Sequence, residues 1–440
     1  MSVPQFHLFG AADPHVLVVN GSRLYHVSED VARELEAAAG EGDAARTDAL
    51  LARLGLDAPA YITDIPPRDL PVRSLSLAIA QQCNLGCTYC YAQQGDFGGV
   101  PKLMPLEVAL QAVERLFGEA PPGERVTLIF LGGEPLLNRA TLRAATERAL
   151  ELQRERGVRC GFSLTTNGTL LTEEDADFFA RHGFAVTVSL DGVGAVHDRL
   201  RPFKGGRPSY ERVVENAKRL LERRGNLQVS ARVTVTPQNL NLRETLDTLI
   251  GLGFHSVGFS PMLSSPTGAG ELSGQTLEQM LGQMIECASV FERQVVMGKP
   301  YPFANAINAL KELHQGTHRP YPCGAGAGYL GVSAEGHFSA CHRFVGEPQG
   351  QLGTLAGGVD AQKRNRWLAE RHVHTQEPCR SCWARYLCGG GCHHEVLRRG
   401  RSACDYIRGW LHHCLEMYVR LSEQRPEYLS GLAGQKPVER

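Results

Sequence analysis

The chain has 440 residues, with 46 Lys and Arg against 47 Asp and Glu and a formal net charge of −1. That balance gives no electrostatic reason to expect nucleic acid or an anionic membrane as partner, and no apolar run approaches the ~20 residues of a membrane-spanning helix. Residues 1–21 lack a basic segment followed by an apolar one, so a cytoplasmic enzyme of two to four domains is expected.

Residues 1–72 read as a small α+β module. Segments 15–19 and 24–27 flank Asn20-Gly21, a hairpin signal. A helix is expected over 28–39 with Ser28 as N-cap. A polar connection at 41–45, a second helix at 47–54 and a linker at Asp64-Ile65-Pro66-Pro67 follow. From Arg73 onward strand-like and helix-like patterns alternate. Strands are expected at 74–80, 126–131, 160–166, 185–190, 228–236 and 255–261, all rich in residues that suit buried parallel strands. Helices are expected at 105–119, 139–156, 173–181, 210–224 and 242–252, and Thr172 with Asp175 makes a capping box. Six strands with helical crossovers predict an α/β fold, a partial (β/α)6 barrel with its chemistry at the C-terminal ends of the strands.

After the first strand comes Cys83-Asn-Leu-Gly-Cys87-Thr-Tyr-Cys90. Three thiolates on one short loop can hold three irons of a [4Fe–4S] cluster and leave the fourth open to a chelating cofactor. Zinc prefers paired C-x-x-C groups with a closed shell of four. Later strand ends carry Gly132-Gly133-Glu134-Pro135, Thr165-Thr166-Asn167-Gly168 and Ser189-Leu190-Asp191-Gly192. Any one of these is an ordinary strand-to-helix turn; in order, at successive strand ends, they form a pattern. The cysteine spacing, with Tyr89 before the last cysteine, resembles the radical S-adenosylmethionine (radical SAM) enzymes. The resemblance implies that Cys83, Cys87 and Cys90 hold the cluster. It also implies that Tyr89, Gly132, Gly133, Glu134, Pro135, Thr166, Asn167, Ser189 and Asp191 bind S-adenosylmethionine, Glu134 accepting from its amino group. When the cofactor is split, a 5′-deoxyadenosyl radical forms. The segment His197–Arg201 and Arg232 read more simply as solvated, salt-bridged surface.

Of the thirteen cysteines, eight lie between Cys323 and Cys414. Without a secretory signal they argue for metal ligation rather than disulfides. Only Cys160 and Cys287 stand alone, as small buried residues. The order Cys323, Gly336-x4-Cys341, Cys379-x2-Cys382-x5-Cys388-x3-Cys392, Cys404, Cys414 resembles the SPASM domain, with two auxiliary [4Fe–4S] clusters, making three in all. By that resemblance Cys323, Cys341 and Cys392 belong to the first and Cys379, Cys382, Cys388 and Cys404 to the second. Cys414 is the alternative late ligand, or it completes the first cluster, or that cluster keeps an open iron. A zinc knuckle on Cys379, Cys382, Cys388 and Cys392 is the rival. Trp383, Tyr386, His393 and His394 read as packing residues. The expected organisation is a peptide-recognition-like module at 1–72, a radical SAM core with bridging helices at 73–315, a SPASM domain at 316–421 and a tail at 422–440.

The stretches Cys90–Gly99 and Cys341–Gly346 resemble maturases that join a cysteine sulfur to a carbon of a ribosomally synthesised peptide or small protein subunit. The quinohemoprotein amine dehydrogenase maturation protein is among them. This implies thioether formation in such a substrate, with a flavodoxin or ferredoxin as electron donor. In that setting the N-terminal module would take a leader peptide along a sheet edge; a plain structural extension is the other reading. Carbon–carbon (cyclophane) crosslinking or epimerisation, with Cys160 or Cys287 as hydrogen donor, stay open. So does the anaerobic sulfatase-maturating, formylglycine-forming reaction. Those enzymes carry an Asp base where this chain has His342, which is the candidate base here. A non-catalytic iron–sulfur or zinc protein that only binds peptide is the alternative of another class.

Overall fold

The computed structural model describes residues 6–40, 44–57, 62, 70–223 and 225–434. Most of the 41–45 connection and the Asp64–Pro67 linker lie outside them. The N-terminal module holds three antiparallel strands, β1 (Phe6–Phe9), β2 (His15–Val18) and β3 (Arg23–His26), with β2 in the centre. Helices α1 (Glu29–Gly40) and α2 (Ala44–Arg53) follow, and Ser28 Oγ accepts from Val31 N at 3.4 Å as an N-cap. β2 is buried on both faces. Its alternation sends Val16 and Val18 to a small core with Leu35, Leu50 and Leu51, and Leu17 to the main core. β1 was not expected, because four residues carry too short a period to read.

β1 joins the module to the far end of the chain. The His7 ring stacks on Trp383 at 3.7 Å, and its Nε2 lies 3.0 Å from His412 Nδ1. Burial, with His412 beside it, lowers the His7 pKa to about 4. An unfolded histidine protonates near 6.5, so the unfolded chain binds the extra proton between about 6.5 and about 4. This contribution to stability is therefore lost as pH falls through that window. Thermal unfolding should show a decline there that His7→Phe flattens. A decline of equal size in the variant would mean that His7 carries none of it.

The core begins with β4 (Ser74–Gln81), followed by β5 (Lys102–Leu103), α3 (Leu106–Gly118), β6 (Arg125–Gly132), α4 (Arg139–Arg156), β7 (Arg159–Thr166) and α5 (Glu173–Arg181). It continues through β8 (Ala185–Ser189), α6 (Ala195–Leu200), α7 (Tyr210–Leu221), β9 (Gln228–Val235), α8 (Leu242–Gly251) and β10 (Ser256–Pro261). Strands β4, β6, β7, β8, β9 and β10 lie side by side, all parallel, as the sequence predicts. The Thr172–Asp175 capping box is present, at 3.1 and 3.2 Å. Asp175 also takes Arg139 and Arg143, tying α4 to α5.

The sheet does not end at β4. After α9 (Gly274–Val296) and α10 (Ala304–His314), β11 (Tyr329–Val332) adds parallel to β4. Antiparallel β12 (His337–Ser339), β13 (Gln351–Thr354) and β14 (Gly358–Val359) follow. The path from β10 to β14 stays open, and the C-terminal cysteine region therefore grows from the same sheet as the first cysteine loop. Helices α11 (Ala361–Arg371), α12 (Arg385–Cys388), α13 (His393–Arg399), α14 (Cys404–Gln424) and α15 (Pro426–Gly434) complete the chain. The expected tail is helical over its described part, to Gln424 and again over Pro426–Gly434, and Leu429 and Leu432 join the main core. Among the described residues, no helix is long and apolar enough to cross a membrane.

Candidate active site

The first cysteine loop leaves the C-terminal end of β4, where parallel-sheet enzymes place their chemistry. Cys83, Cys87 and Cys90 face one another closely enough for each to raise the charge cost of the next, and burial pushes the Cys87 thiol up to about 12. Cys83 Sγ accepts from Leu85 N at 3.4 Å and from Asn167 Nδ2 at 3.6 Å.

The two glycines at the end of β6 lie against the backbone that leads into the cysteine loop. A Cβ on Gly132 would lie 2.2 Å from Ala80 O, and one on Gly133 would lie 2.2 Å from Gln82 O. Gly133 N donates to Ala80 O at 2.7 Å and Glu134 N to Gln82 O at 2.9 Å. The glycines admit the close approach of the backbone at Ala80 and Gln82, where the cysteine loop begins.

Glu134 is fully buried. Its carboxylate accepts from Leu136 N at 3.1 Å, Thr166 Oγ1 at 2.8 Å and Asn167 N at 2.7 Å. Burial pushes its pKa up against these three donors. About one of its four lone-pair positions is left for an ammonium. Thr166 and Asn167 make hydrogen bonds within the protein. The Asn167 amide bridges Asn84 Oδ1 at 2.8 Å and Thr169 Oγ1 at 2.6 Å, bracing the cysteine loop. Pro135 opens a buried 3₁₀ turn capped by Glu134, and Ser189, the last residue of β8, is half-buried.

Asp191 proves to be a hub. It accepts from the Tyr89 hydroxyl, from Arg201 Nη1 at 3.2 Å and from Thr234 N at 2.6 Å, while its own carbonyl takes Asn239 Nδ2 at 2.9 Å. Arg201 Nη1 also donates to Tyr89 Oη at 3.0 Å, and Arg201 Nε is buried with no partner among the described residues. His197 is fully buried between Asp191 N and Ser209 Oγ, and Asp198 takes the amides of Ser209 and Tyr210 at the start of α7. The solvated-surface reading of the 197–201 segment thus fails for His197 and Arg201, because α6 turns inward over the cysteine loop. Arg201, Asn84, Thr169 and Asn239 carry no motif signal that could have singled them out.

The C-terminal cysteines separate into two groups. Cys341 lies beside Cys323 and Cys392. Cys379, Cys382, Cys388 and Cys404 are mutual neighbours. They line a cavity of about 280 Å³ that reaches to Phe259 and Pro261 of β10. The left-handed Gly390 and Gly391 (φ 96° and 78°) turn their amides toward the Cys388 thiol. Arg401 and Arg408 bring positive charge to this group. Cys414 is placed elsewhere, fully buried on the core face of α14, its thiol raised by burial alone. Cys160 and Cys287 lie on β7 and α9, outside both groups. Among the described residues, no three His, Cys, Asp or Glu side chains close to the spacing of a single metal ion.

The first loop and the Cys341 loop lie against each other. Arg343 sits over the Tyr91 ring at 5.3 Å, holds Glu395 at 2.7 Å and approaches Cys392 Sγ at 3.7 Å. Tyr91 feels both Cys90 and Cys341. His342 packs edge-on to Tyr91, and its Nδ1 lies 2.7 Å from Tyr329 Oη. Tyr91, Tyr329, His342 and Arg343 all keep part of their surface accessible. Burial, with Arg343 nearby, lowers the His342 pKa to about 3, so the imidazole is neutral.

A parallel α/β sheet with three thiols on the first strand-end loop, backed by a buried carboxylate and an arginine, defines a site for an iron–sulfur cluster with an open iron. Residues 77–260 match the Radical SAM superfamily, and the chain is an enzyme with a radical SAM domain and with a [4Fe–4S] cluster and S-adenosylmethionine as cofactors. The serine-type anaerobic sulfatase-maturating enzyme of Klebsiella aerogenes is 27% identical over 360 residues, 78% of this chain and 85% of that one. The cysteine-type enzyme of Clostridium perfringens (strain 13 / Type A) is 34% identical over 155 residues, 34% and 40% of the two chains. Among solved structures, native anSMEcpe with bound AdoMet shares the fold with a TM-score of 0.67 at 20% identity, over 80% of this chain and 99% of that one. SuiB of Streptococcus suis, bound to its precursor peptide SuiA, shares it with a TM-score of 0.53 at 14% identity, over 90% and 97%. The thiols fit the cluster. They are deprotonated on binding iron, and beside them the Arg201 guanidinium, paired with Asp191 through Nη1, keeps an Nε without a partner among the described residues.

Proposed function

We propose that this enzyme is a peptide maturase that joins a substrate cysteine sulfur to a carbon of the same ribosomally made peptide or small protein subunit. The observation that carries this reading is the unequal division of the C-terminal thiols. Four gather as Cys379, Cys382, Cys388 and Cys404, while Cys341 has Cys323 and Cys392 beside it among the described residues. A cluster held by a set of three thiols keeps a position for a thiolate from the substrate. When bound, the cofactors supply the radical that takes one hydrogen atom from the substrate, and auxiliary clusters on the two thiol sets supply the acceptor for the electron left over. The chain's own residues seat the peptide beside the stacked Tyr91 and Arg343, with His342 packed edge-on to Tyr91. A flavodoxin or ferredoxin completes the electron supply.

A second reading, formylglycine formation in a sulfatase, is favoured by the named activity of the relatives that match most of the chain. One assay separates the two. The anaerobically reconstituted enzyme is given dithionite, S-adenosylmethionine and cysteine-containing peptides encoded beside its gene. A product that loses two hydrogens together with its free thiol supports the thioether. An aldehyde that reacts with hydrazide supports formylglycine. Replacing Cys341 by Ala should lower product formed per cofactor cleaved by at least about tenfold, within the range typical for disturbed metal ligation. An unchanged ratio would exclude the three-thiol set from the reaction.

A further inference from the structure

We infer that Arg343 and Glu395 set the reduction potential of the iron–sulfur group that Cys323, Cys341 and Cys392 would hold, Arg343 raising it and Glu395 lowering it. This deepens the maturase reading and rests on it, since that group is the acceptor for the surplus electron.

Three cysteines from distant parts of the chain meet here, Cys341 with Cys323 and Cys392 beside it, and none is in a disulfide. Arg343 reaches the set through Nη1, 3.7 Å from Cys392 Sγ, yet its Nε is buried with no partner among the described residues. A buried donor with its hydrogen bond unmade costs free energy, and an anionic group on the neighbouring thiols answers it. Arg343 is fixed in this place from two sides. Its Cζ lies 5.3 Å over the Tyr91 ring, and Nη1 donates to Glu395 Oε1 at 2.7 Å. The two side chains of that pair are 17% and 14% exposed. Glu395 sits in the first turn of α13, whose N-cap is Cys392, so the helix that starts at this thiol also delivers the counter-charge.

An ion pair buried to this degree stabilises a fold little, because desolvation offsets the attraction. It does place two opposite charges where water and salt screen them weakly. As the carbon–sulfur bond forms, the substrate gives up one hydrogen atom to the adenosyl radical, one proton from its thiol and one electron. The group on the three thiols takes that electron and becomes more negative by one charge. A cation beside it favours the reduced form, and an anion favours the oxidised form. A guanidinium stays protonated at every working pH, so its bias is fixed. Arg343, not Glu395, makes the contact to sulfur, and the net bias is toward taking the electron.

The test is a potentiometric titration followed by electron paramagnetic resonance. It uses the full-length chain reconstituted with iron and sulfide in a Cys87→Ala background, which removes the signal of the first cluster. No peptide is present, so substrate seating beside Arg343 does not enter. Cys341→Ala identifies the signal of the three-thiol set by its loss, together with iron. At a fixed potential, Arg343→Met should shift the reduced-to-oxidised ratio of that signal at least about tenfold toward the oxidised form, a fall of about 59 mV for one electron. Glu395→Gln should shift it the other way, and Arg343→Lys, which keeps the charge, should lie nearer to wild type than to Arg343→Met. A merely structural pair has no reason to move a potential in opposite directions. Should Arg343→Met lose iron, the double variant Arg343→Met with Glu395→Gln leaves no charge uncompensated, and it should fall below Glu395→Gln by the same factor. Shifts of the same sign, a shift below tenfold on removing the arginine, or one as large in Arg343→Lys, overturn the tuning role alone. If Cys341→Ala costs neither iron nor a signal, the three-thiol set holds no cluster, and the maturase reading falls together with the inference.

Discussion

Replacing Cys87 by Ala should reduce 5′-deoxyadenosine formation from S-adenosylmethionine to background, with or without a peptide present. The thiol is 7% exposed and packs with Leu85, Tyr89, Leu200 and Met262, so one explanation for a dead variant would be a collapsed fold. The magnitudes decide against that. Removing one buried sulfur leaves a small gap, costing about 1–2 kcal/mol, against a total stability of about 5–15 kcal/mol. Removing one of three iron ligands leaves too few to hold the cluster. The variant should therefore unfold within a few degrees of wild type, while retaining about two thirds of its iron if three clusters of equal size are present. Cofactor cleavage at the wild-type rate in the variant would exclude the Cys83–Cys90 loop as the site of the reaction.

The second large effect is expected at Asp191, and here it is structural. Asp191→Ala strips the ion-pair partner from Arg201, which is buried beside Tyr89 and the cysteine loop and already has an unpartnered Nε. It also orphans the Thr234 amide, which donates to Asp191 at 2.6 Å. Breaking a buried pair by removing one partner typically costs about 3–5 kcal/mol, a large share of the whole. Burial already pushes the Asp191 carboxyl up, so the pair is held by its geometry rather than by a comfortable charge. Denaturant unfolding should show the loss as a lower midpoint. The double variant Asp191→Asn with Arg201→Met should recover most of it, since no charge is then left uncompensated. Destabilisation of Asp191→Ala below about 1 kcal/mol would mean that the hub does not hold the loop.

Much of this fold is legible before any coordinates exist, where the signal is local. Six parallel strands and the five crossover helices appear within a few residues of the positions that apolar periodicity and caps predict, and the Thr172–Asp175 box is found as read. The short elements are a different case. β1, β5 and α6 are each six residues or fewer, too few to show a period. The four added strands after residue 328 are likewise brief, and nothing in their composition announces that they extend the sheet from β4.

The three-cysteine loop and its chemistry were determined by sequence alone, because eight covalently adjacent residues bring their thiols together in almost any fold that exposes the loop at a strand end. The same holds for the superfamily, which rests on that loop and on motifs spaced one βα unit apart. Only the tertiary structure decided what the other motif residues do. It turned Gly132 and Gly133 toward the backbone of β4, and Thr166 and Asn167 toward bracing the loop. It joined Tyr89 to Asp191 across 102 positions and Tyr329 to Ser76 across 253. It also drew Cys392 to Cys341 while its near neighbours Cys379, Cys382 and Cys388 went to Cys404, and left Cys414 in the core. Contacts of that range are set by how strands order themselves in a sheet and how helices lie across it. That order follows from burial summed over the whole chain and leaves no mark on the residues that happen to meet.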